Sequence, residues 1–143
     1  MFDIKKEVAA LEQELIALRR DFHAHPELGY QEFNTSKKVC GYLTALGLED
    51  IQTVTGTGIT AILRGTAGEG KTLLLRADMD ALPVEEKTGL PFASQNPGVM
   101  HACGHDGHTA IQLIVAKILS AHRDAFRGQI KFLFQPNEEE AGA

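Results

Sequence analysis

The feature that most constrains this chain of 143 residues is the order of four segments between residues 72 and 134. Residues 72–76 hold Leu73-Leu74-Leu75, a continuous apolar run of the kind that forms a central strand buried on both faces. A long loop, 78–104, follows and contains Pro83, Pro91 and Pro97. Loops of this length inside a compact domain are usually functional or disordered. A helix is then expected over 106–122, with Ile111, Ile114, Val115, Ile118 and Leu119 on a broad apolar face. Residues 129–134 return as a second apolar strand. A strand, loop, helix and strand in this order form a crossover, which makes the two strands parallel neighbours. Both strands then end, and the helix begins, at one edge of the sheet. Open α/β sheets bind ligands at that edge. Asp78 and Asp80 follow the first strand, Cys103 and His105 open the helix, and Glu138, Glu139 and Glu140 follow the second strand. The topology therefore gathers three polar clusters.

The rest of the chain supports this frame. Val8, Leu11, Leu15, Leu18 and Phe22 form one apolar stripe, which predicts a helix over 4–23. It should stop before Pro26, because the residue before a proline avoids the helical region. His23 and His25 at that end are expected to cap carbonyls. A second helix is predicted over 34–47, capped by Asn34, Thr35 or Ser36 and stopped by Gly47. Val39, Leu43 and Leu46 form its stripe, with Cys40 as a small core residue. Strands are predicted over 51–54 and 59–63, with turns at 55–58 and 65–70. The short glycine-rich connections imply that these two strands and 72–76 are antiparallel neighbours. The fold class expected is α/β.

Composition excludes several function classes. A net charge of -5 with no basic run argues against a nucleic-acid surface. A hydrophobic content of 43% fits one soluble domain, and no apolar run is long enough for a membrane span or a signal-peptide core. Two cysteines far apart do not make a disulfide framework, so a reducing, cytoplasmic setting is expected. The chain stops soon after an apolar strand, with nothing to cover it. We therefore expect residues 1–143 to be the front part of a longer protein, with the end after Glu139 fraying.

The chemistry concentrates in His101-Ala102-Cys103-Gly104-His105-Asp106-Gly107-His108. Three of the six histidines and one of the two cysteines fall in these eight residues. Cys, His and Asp are transition-metal ligands, and the glycines allow the chain to turn so that several side chains face one centre. Taken alone, the stretch also reads as a polar loop with a cap from Asp106 or Thr109, and the glutamates as a solvated acidic turn. Convergence of the three clusters favours a site with carboxylate, nitrogen and sulfur ligands, suited to zinc, manganese, nickel or cobalt. The dipole at the helix start should favour a Cys103 thiolate. Adjacent glutamates allow one to bind metal while its neighbour acts as a general base.

Four motifs carry a resemblance. Residues 20–29, Arg-Asp-Phe-His-Ala-His-Pro-Glu-Leu-Gly, form the first, and Arg76-Ala77-Asp78-Met79-Asp80-Ala81-Leu82-Pro83 the second. Residues 96–100 leading into His101–His108 form the third, and Phe134-Gln135-Pro136-Asn137-Glu138-Glu139 the fourth. In this order they resemble the metal-dependent N-acyl-amino-acid amidohydrolases. That family includes aminoacylase-like enzymes, hippurate hydrolase and auxin-conjugate hydrolases, within a wider group of dinuclear metallopeptidases. The resemblance implies a three-layer αβα catalytic domain with a mixed sheet, of zinc-exopeptidase type. It implies two divalent metal ions, with Cys103, His105 and Glu139 as ligands and Glu138 as the general base for the attacking water. Asp80 resembles the acidic residue that orients a ligand. Asp78 stands where the wider group often has a ligating histidine. Asn137 and Glu140 stand where the family often has a small residue and a glycine, and neither is expected to matter for mechanism. Family members are far longer and add two histidine ligands and a lid domain that mediates dimers.

The reading is thus a metalloamidohydrolase acting on a small-molecule N-acyl amino acid, homo-oligomeric, with no nucleic-acid or membrane partner. The 143 residues alone are expected to be inactive. Two rivals are a non-catalytic metal-binding or scaffold fragment, and a cysteine hydrolase with Cys103 as nucleophile and His105 or His108 as base.

Overall fold

The computed structural model describes residues 2–140. It contains α1 (Ile4–Ala24), α2 (Phe33–Ala45), β1 (Glu49–Val54), β2 (Gly58–Arg64), β3 (Thr72–Asp78), α3 (His105–Ala121) and β4 (Gln129–Gln135). A single 3-10 turn, Arg123–Ala125, links α3 to β4. The architecture is α/β with a mixed sheet, and the 78–104 loop carries no named helix or strand.

Local chemistry explains the helix ends. Asp3 caps α1, its carboxylate accepting the backbone N–H of Lys5 at 3.1 Å. The start of α2 is not capped by Asn34, Thr35 or Ser36 as expected. The Glu27 carboxylate reaches in from the preceding loop and accepts the N–H groups of Asn34 (3.1 Å) and Thr35 (2.8 Å). Its negative charge sits at the positive end of the helix dipole. At the other end Gly47 takes the left-handed conformation (φ 71°). Its N–H bonds Thr44 O at 3.0 Å, and Leu48 N–H bonds Leu43 O at 3.2 Å. These two bonds close a Schellman motif, with buried Leu43 and Leu48 as its apolar pair.

The sheet order is β1-β2-β4-β3. As expected, β3 and β4 are parallel neighbours joined through α3, in register from Thr72 opposite Gln129 to Asp78 opposite Gln135. Two expectations need correction. First, β2 and β3 are not paired, because β4 lies between them and is antiparallel to β2. Their connection is long enough to step across the start of β4 and bonds to it on the way: Gly65 N–H reaches Gly128 O, and Gly128 N–H reaches Gly68 O, each at 2.9 Å. Gly128 has φ 73°, and a Cβ there would overlap the backbone of Gly70 and Lys71. Second, β3 is an edge strand among the described residues, not a central one, and Leu73 and Leu74 are 56% and 55% exposed. An apolar run reports what a strand needs to bury, not which neighbours are present.

One core fills the space between the sheet and the helices. Ile59, Ala61, Leu63, Ile130, Phe132 and Phe134 point from β2 and β4 into a cluster with Val39 and Leu43 of α2 and Ala110, Leu113 and Ala116 of α3. α2 packs on β1, β2 and α3, and α1 packs on α3, so the helices share one face of the sheet. Helices and sheet supply two of the three layers the resemblance implies. The opposite face presents Leu74 and Lys131, both exposed. No helix among the described residues is long and apolar enough to cross a membrane.

Candidate metal centre

The crossover delivers the polar clusters to the carboxyl ends of β3 and β4. His105 is the first residue of α3 and is buried. Gly104 before it has φ 94°, a left-handed turn that turns the chain between Cys103 and the helix. His105 Nδ1 lies 3.0 Å from Asp80 O and 3.2 Å from Asp80 Oδ1, both acceptors. Nδ1 therefore carries the proton, and Nε2 keeps a free lone pair. Nε2 lies 3.7 Å from Glu139 Oε1 and 3.8 Å from Glu138 Oε2. The second Asp80 oxygen accepts the Glu139 N–H at 3.0 Å. Asp80 thus joins the end of β3, the start of α3 and the exit from β4.

Two groups of metal-ligating side chains stand out among the described residues: Cys103, His105 and Glu139, and Asp78, His105 and His108. Within each, the ligand atoms lie within 4.8 Å of one another. The first brings together the three residues expected as ligands. Glu138 sits beside it, partly exposed, with Oε1 3.7 Å from Arg76 Nη2. In the second group Asp78 is bound by Arg76 (Nε, 2.9 Å), and its other oxygen lies 3.3 Å from His108 Nδ1.

The electrostatics fit a cation at the first group. Glu139 Oε1 is buried and has no hydrogen-bond partner. The Cys103 thiol is held above its usual range by its hydrogen bond to Glu139, then by burial and by the charges of Glu139, Glu138 and Asp80. This corrects the expectation of a dipole-favoured thiolate: the surrounding carboxylates outweigh the helix start. Burial pushes Asp80 up, but the His105 bond and the backbone N–H groups of Glu139, Glu138 and Asp80 itself bring it below the usual carboxylate range. The Asp80 carboxylate in turn raises His105. A buried acceptor, a free imidazole nitrogen and a thiol surrounded by negative charge make a donor set that a divalent ion would complete.

Sequence reasoning missed the supports of this centre. Glu32 is fully buried; its carboxylate accepts the Asn137 N–H at 2.9 Å and the Thr57 hydroxyl at 2.5 Å. It anchors the β4 exit, where Asn137 has φ 51°. With Asp80, it ties residues 137–139 to the fold; the fraying expected after Glu139 falls on residue 140 and on residues 141–143, and the latter lie outside the described residues. His23 is likewise not a carbonyl cap. It is buried between Asp106 (Nδ1 to Oδ2, 2.7 Å) and Glu86 (Nε2 to Oε1, 3.2 Å), while His25 does bond Asp21 O at 2.8 Å. Arg19 joins Asp106 at 2.8 Å. Asp106 thereby ties α1 and the long loop to the start of α3. Thr109 bonds Asp78 O at 2.9 Å rather than capping the helix. His101 is buried with both ring nitrogens unpartnered, and burial pushes its pKa down to about 4. The residue types were visible in the sequence, but no periodicity or spacing pairs Glu32 with Asn137 or His23 with Asp106.

Residues 74–143 match the model of peptidase family M20/M25/M40. The chain is 50% identical over 137 residues to an N-acyl-L-amino acid amidohydrolase of Geobacillus stearothermophilus, covering 96% of this chain and 37% of that protein. It is 48% identical over 136 residues to an N-acetyl-L-cysteine deacetylase of Bacillus subtilis, covering 95% of this chain and 32% of that one. The chain thus spans about a third of the length of these relatives. Among solved structures, the YXEP protein of Bacillus subtilis, described as a dinuclear metal binding peptidase, superposes with a TM-score of 0.88 at 45% identity, over 94% of this chain and 38% of that one. From its motifs, its fold and these likenesses, the chain belongs to peptidase family M20/M25/M40.

Proposed function

We propose that this chain forms the front part of the catalytic domain of a metal-dependent amidohydrolase that cleaves the amide of N-acyl amino acids. The observation that carries the reading is the Cys103–His105–Glu139 group, with its buried, unpartnered Glu139 oxygen. The likeness to an N-acyl-L-amino acid amidohydrolase supports the substrate class. The mixed sulfur, nitrogen and carboxylate donors suit zinc, manganese, nickel or cobalt. Two ions would need further ligands from the rest of a longer chain. A divalent ion held here supplies Lewis-acid polarisation of the carbonyl and acidifies water.

The remaining steps belong to this chain's own groups. Asp80 fixes the His105 ring so that Nε2 faces the centre. Glu138 stays outside the ligand group, 3.7 Å from Arg76, free to take a proton from the attacking water and return it to the leaving amine. The raised Cys103 thiol disfavours the cysteine-hydrolase alternative, which needs a thiolate without a cation. We place the whole protein in the cytoplasm, as a homo-oligomer, and include N-benzoylglycine (hippurate) among its candidate substrates. The test is hydrolysis of N-acetyl and N-benzoyl amino acids by the full-length protein before and after chelation. Loss of activity on chelation, restored by manganese or zinc, supports the reading. Activity that survives complete metal removal overturns it.

A further inference from the structure

A cavity of about 410 Å³ opens beside the candidate metal centre, with Asp80 and Glu139 in its lining. Its apolar wall is made by Leu28, Ala81, Leu82 and Pro83. Backbone pairing fixes that wall. Ala81 N–H bonds Glu27 O at 2.8 Å, and Leu28 and Ala81 form a parallel bridge. Leu82 and Met100 exchange two bonds of 3.0 Å. The wall is therefore set before a ligand arrives.

The charge of the lining decides which part of a substrate belongs there. Among the described residues no lysine, arginine or histidine lines the cavity, while Asp80, Glu139 and Glu140 do. An N-acyl amino acid carries one anionic end, its α-carboxylate, and one uncharged end, its acyl group. An α-carboxylate entering this cavity would meet Glu140 and no side-chain cation to pair with, while the ion proposed at Glu139 is engaged by the scissile carbonyl. We propose that the cavity is the acyl subsite and that Leu28 and Leu82 set the length of acyl chain accepted. This assignment rests on the N-acyl amino acid reading above. An acyl group on the apolar wall places the scissile carbonyl at the end of the cavity that Asp80 and Glu139 line. The amino-acid half then lies outside the cavity. The volume suits a group of several carbons, so acyl groups longer than acetyl are accepted.

The test uses the full-length protein and two substitutions that narrow the cavity from different segments, Leu82→Phe and Leu28→Phe. Specificity constants are measured for acetyl, butanoyl and hexanoyl derivatives of one amino acid, and for acetyl derivatives of alanine, leucine and phenylalanine. In each folded variant the hexanoyl-to-acetyl ratio of kcat/KM should fall roughly tenfold or more, while the ratios among amino acids move by less than about threefold. An acyl-length ratio unchanged in either folded variant overturns the assignment, as does a shift confined to amino-acid preference. Wild-type protein that hydrolyses N-acyl amino acids in either case leaves the amidohydrolase reading standing. Wild-type protein that hydrolyses none of them overturns both.

Discussion

Adjacent glutamates at the β4 exit divide the proposed work. Glu139 turns an unpartnered oxygen inward, and Glu138 faces Arg76. In the full-length protein Glu138→Gln should leave metal content nearly unchanged and cut turnover by roughly 10² or more. Glu139→Gln should lower metal occupancy. Metal analysis with kinetics checks the pair, and exchanged phenotypes would reverse the assignment. Glu32 gives a stability test. Glu32→Ala leaves the Asn137 N–H and the Thr57 hydroxyl without their partner, at roughly 1–3 kcal/mol for each buried group. Chemical denaturation should show a loss of roughly 2–6 kcal/mol for the two groups together; an unchanged midpoint would mean that water replaces the carboxylate. The two residues also mark what the sequence disclosed. The clustering of Cys103, His105 and the glutamates after β4 was legible because metal-ligating residue types are chemically rare and a crossover brings them together, while the choice of Glu139 among three glutamates came from the family resemblance. Glu32 and His23 were not, because a single Glu or His reads as surface or cap until its distant partner is placed. The Cys103 thiol went the other way from expectation because the hydrogen bond to Glu139, burial and the charge of two segments together outweigh one local dipole.

Element ends and faces were legible where a local rule acts alone. The stripe of α1, the Gly47 stop of α2 and the parallel pairing of β3 and β4 follow from period, backbone freedom and connection type. The separation of β2 from β3 did not, since a glycine-rich connection serves a hairpin or a step across a third strand equally well. Glu14 joins all three helices. Glu14 of α1 accepts the Tyr42 hydroxyl from α2 and the Lys117 ammonium from α3, each at 2.6 Å. These hydrogen bonds, Lys117 first, hold the Glu14 carboxyl below its ordinary value of 4.5. A carboxyl depressed in the folded state stabilises the fold above its unfolded pKa, and that stabilisation is lost as pH falls through the folded value. Both charged partners are partly exposed, so the contribution is roughly 0.2–1 kcal/mol. Thermal unfolding of Glu14→Gln should run below wild type at pH 7, and the gap should narrow as pH falls below 4.5. A gap that widens in acid would contradict the account.

At the scale of the molecule, a half-covered sheet meets a half-built site. β3 offers an unpaired edge among the described residues, with Leu73 and Leu74 exposed, and Ile111 of α3 is exposed as well. Edges of this kind pair with other chains. The isolated 143 residues should therefore self-associate in sedimentation, bind zinc or manganese weakly in calorimetric titration, and turn over no N-acyl amino acid. Tight stoichiometric binding with measurable turnover would show that the ligands described here suffice. The central claim is that Cys103, His105 and Glu139 hold the metal, and X-ray absorption on the zinc-loaded full-length protein tests it most directly. The account predicts a sulfur scatterer at about 2.3 Å beside nitrogen and oxygen at about 2.0–2.2 Å, with the sulfur lost in Cys103→Ser. A wild-type spectrum with nitrogen and oxygen alone would contradict it.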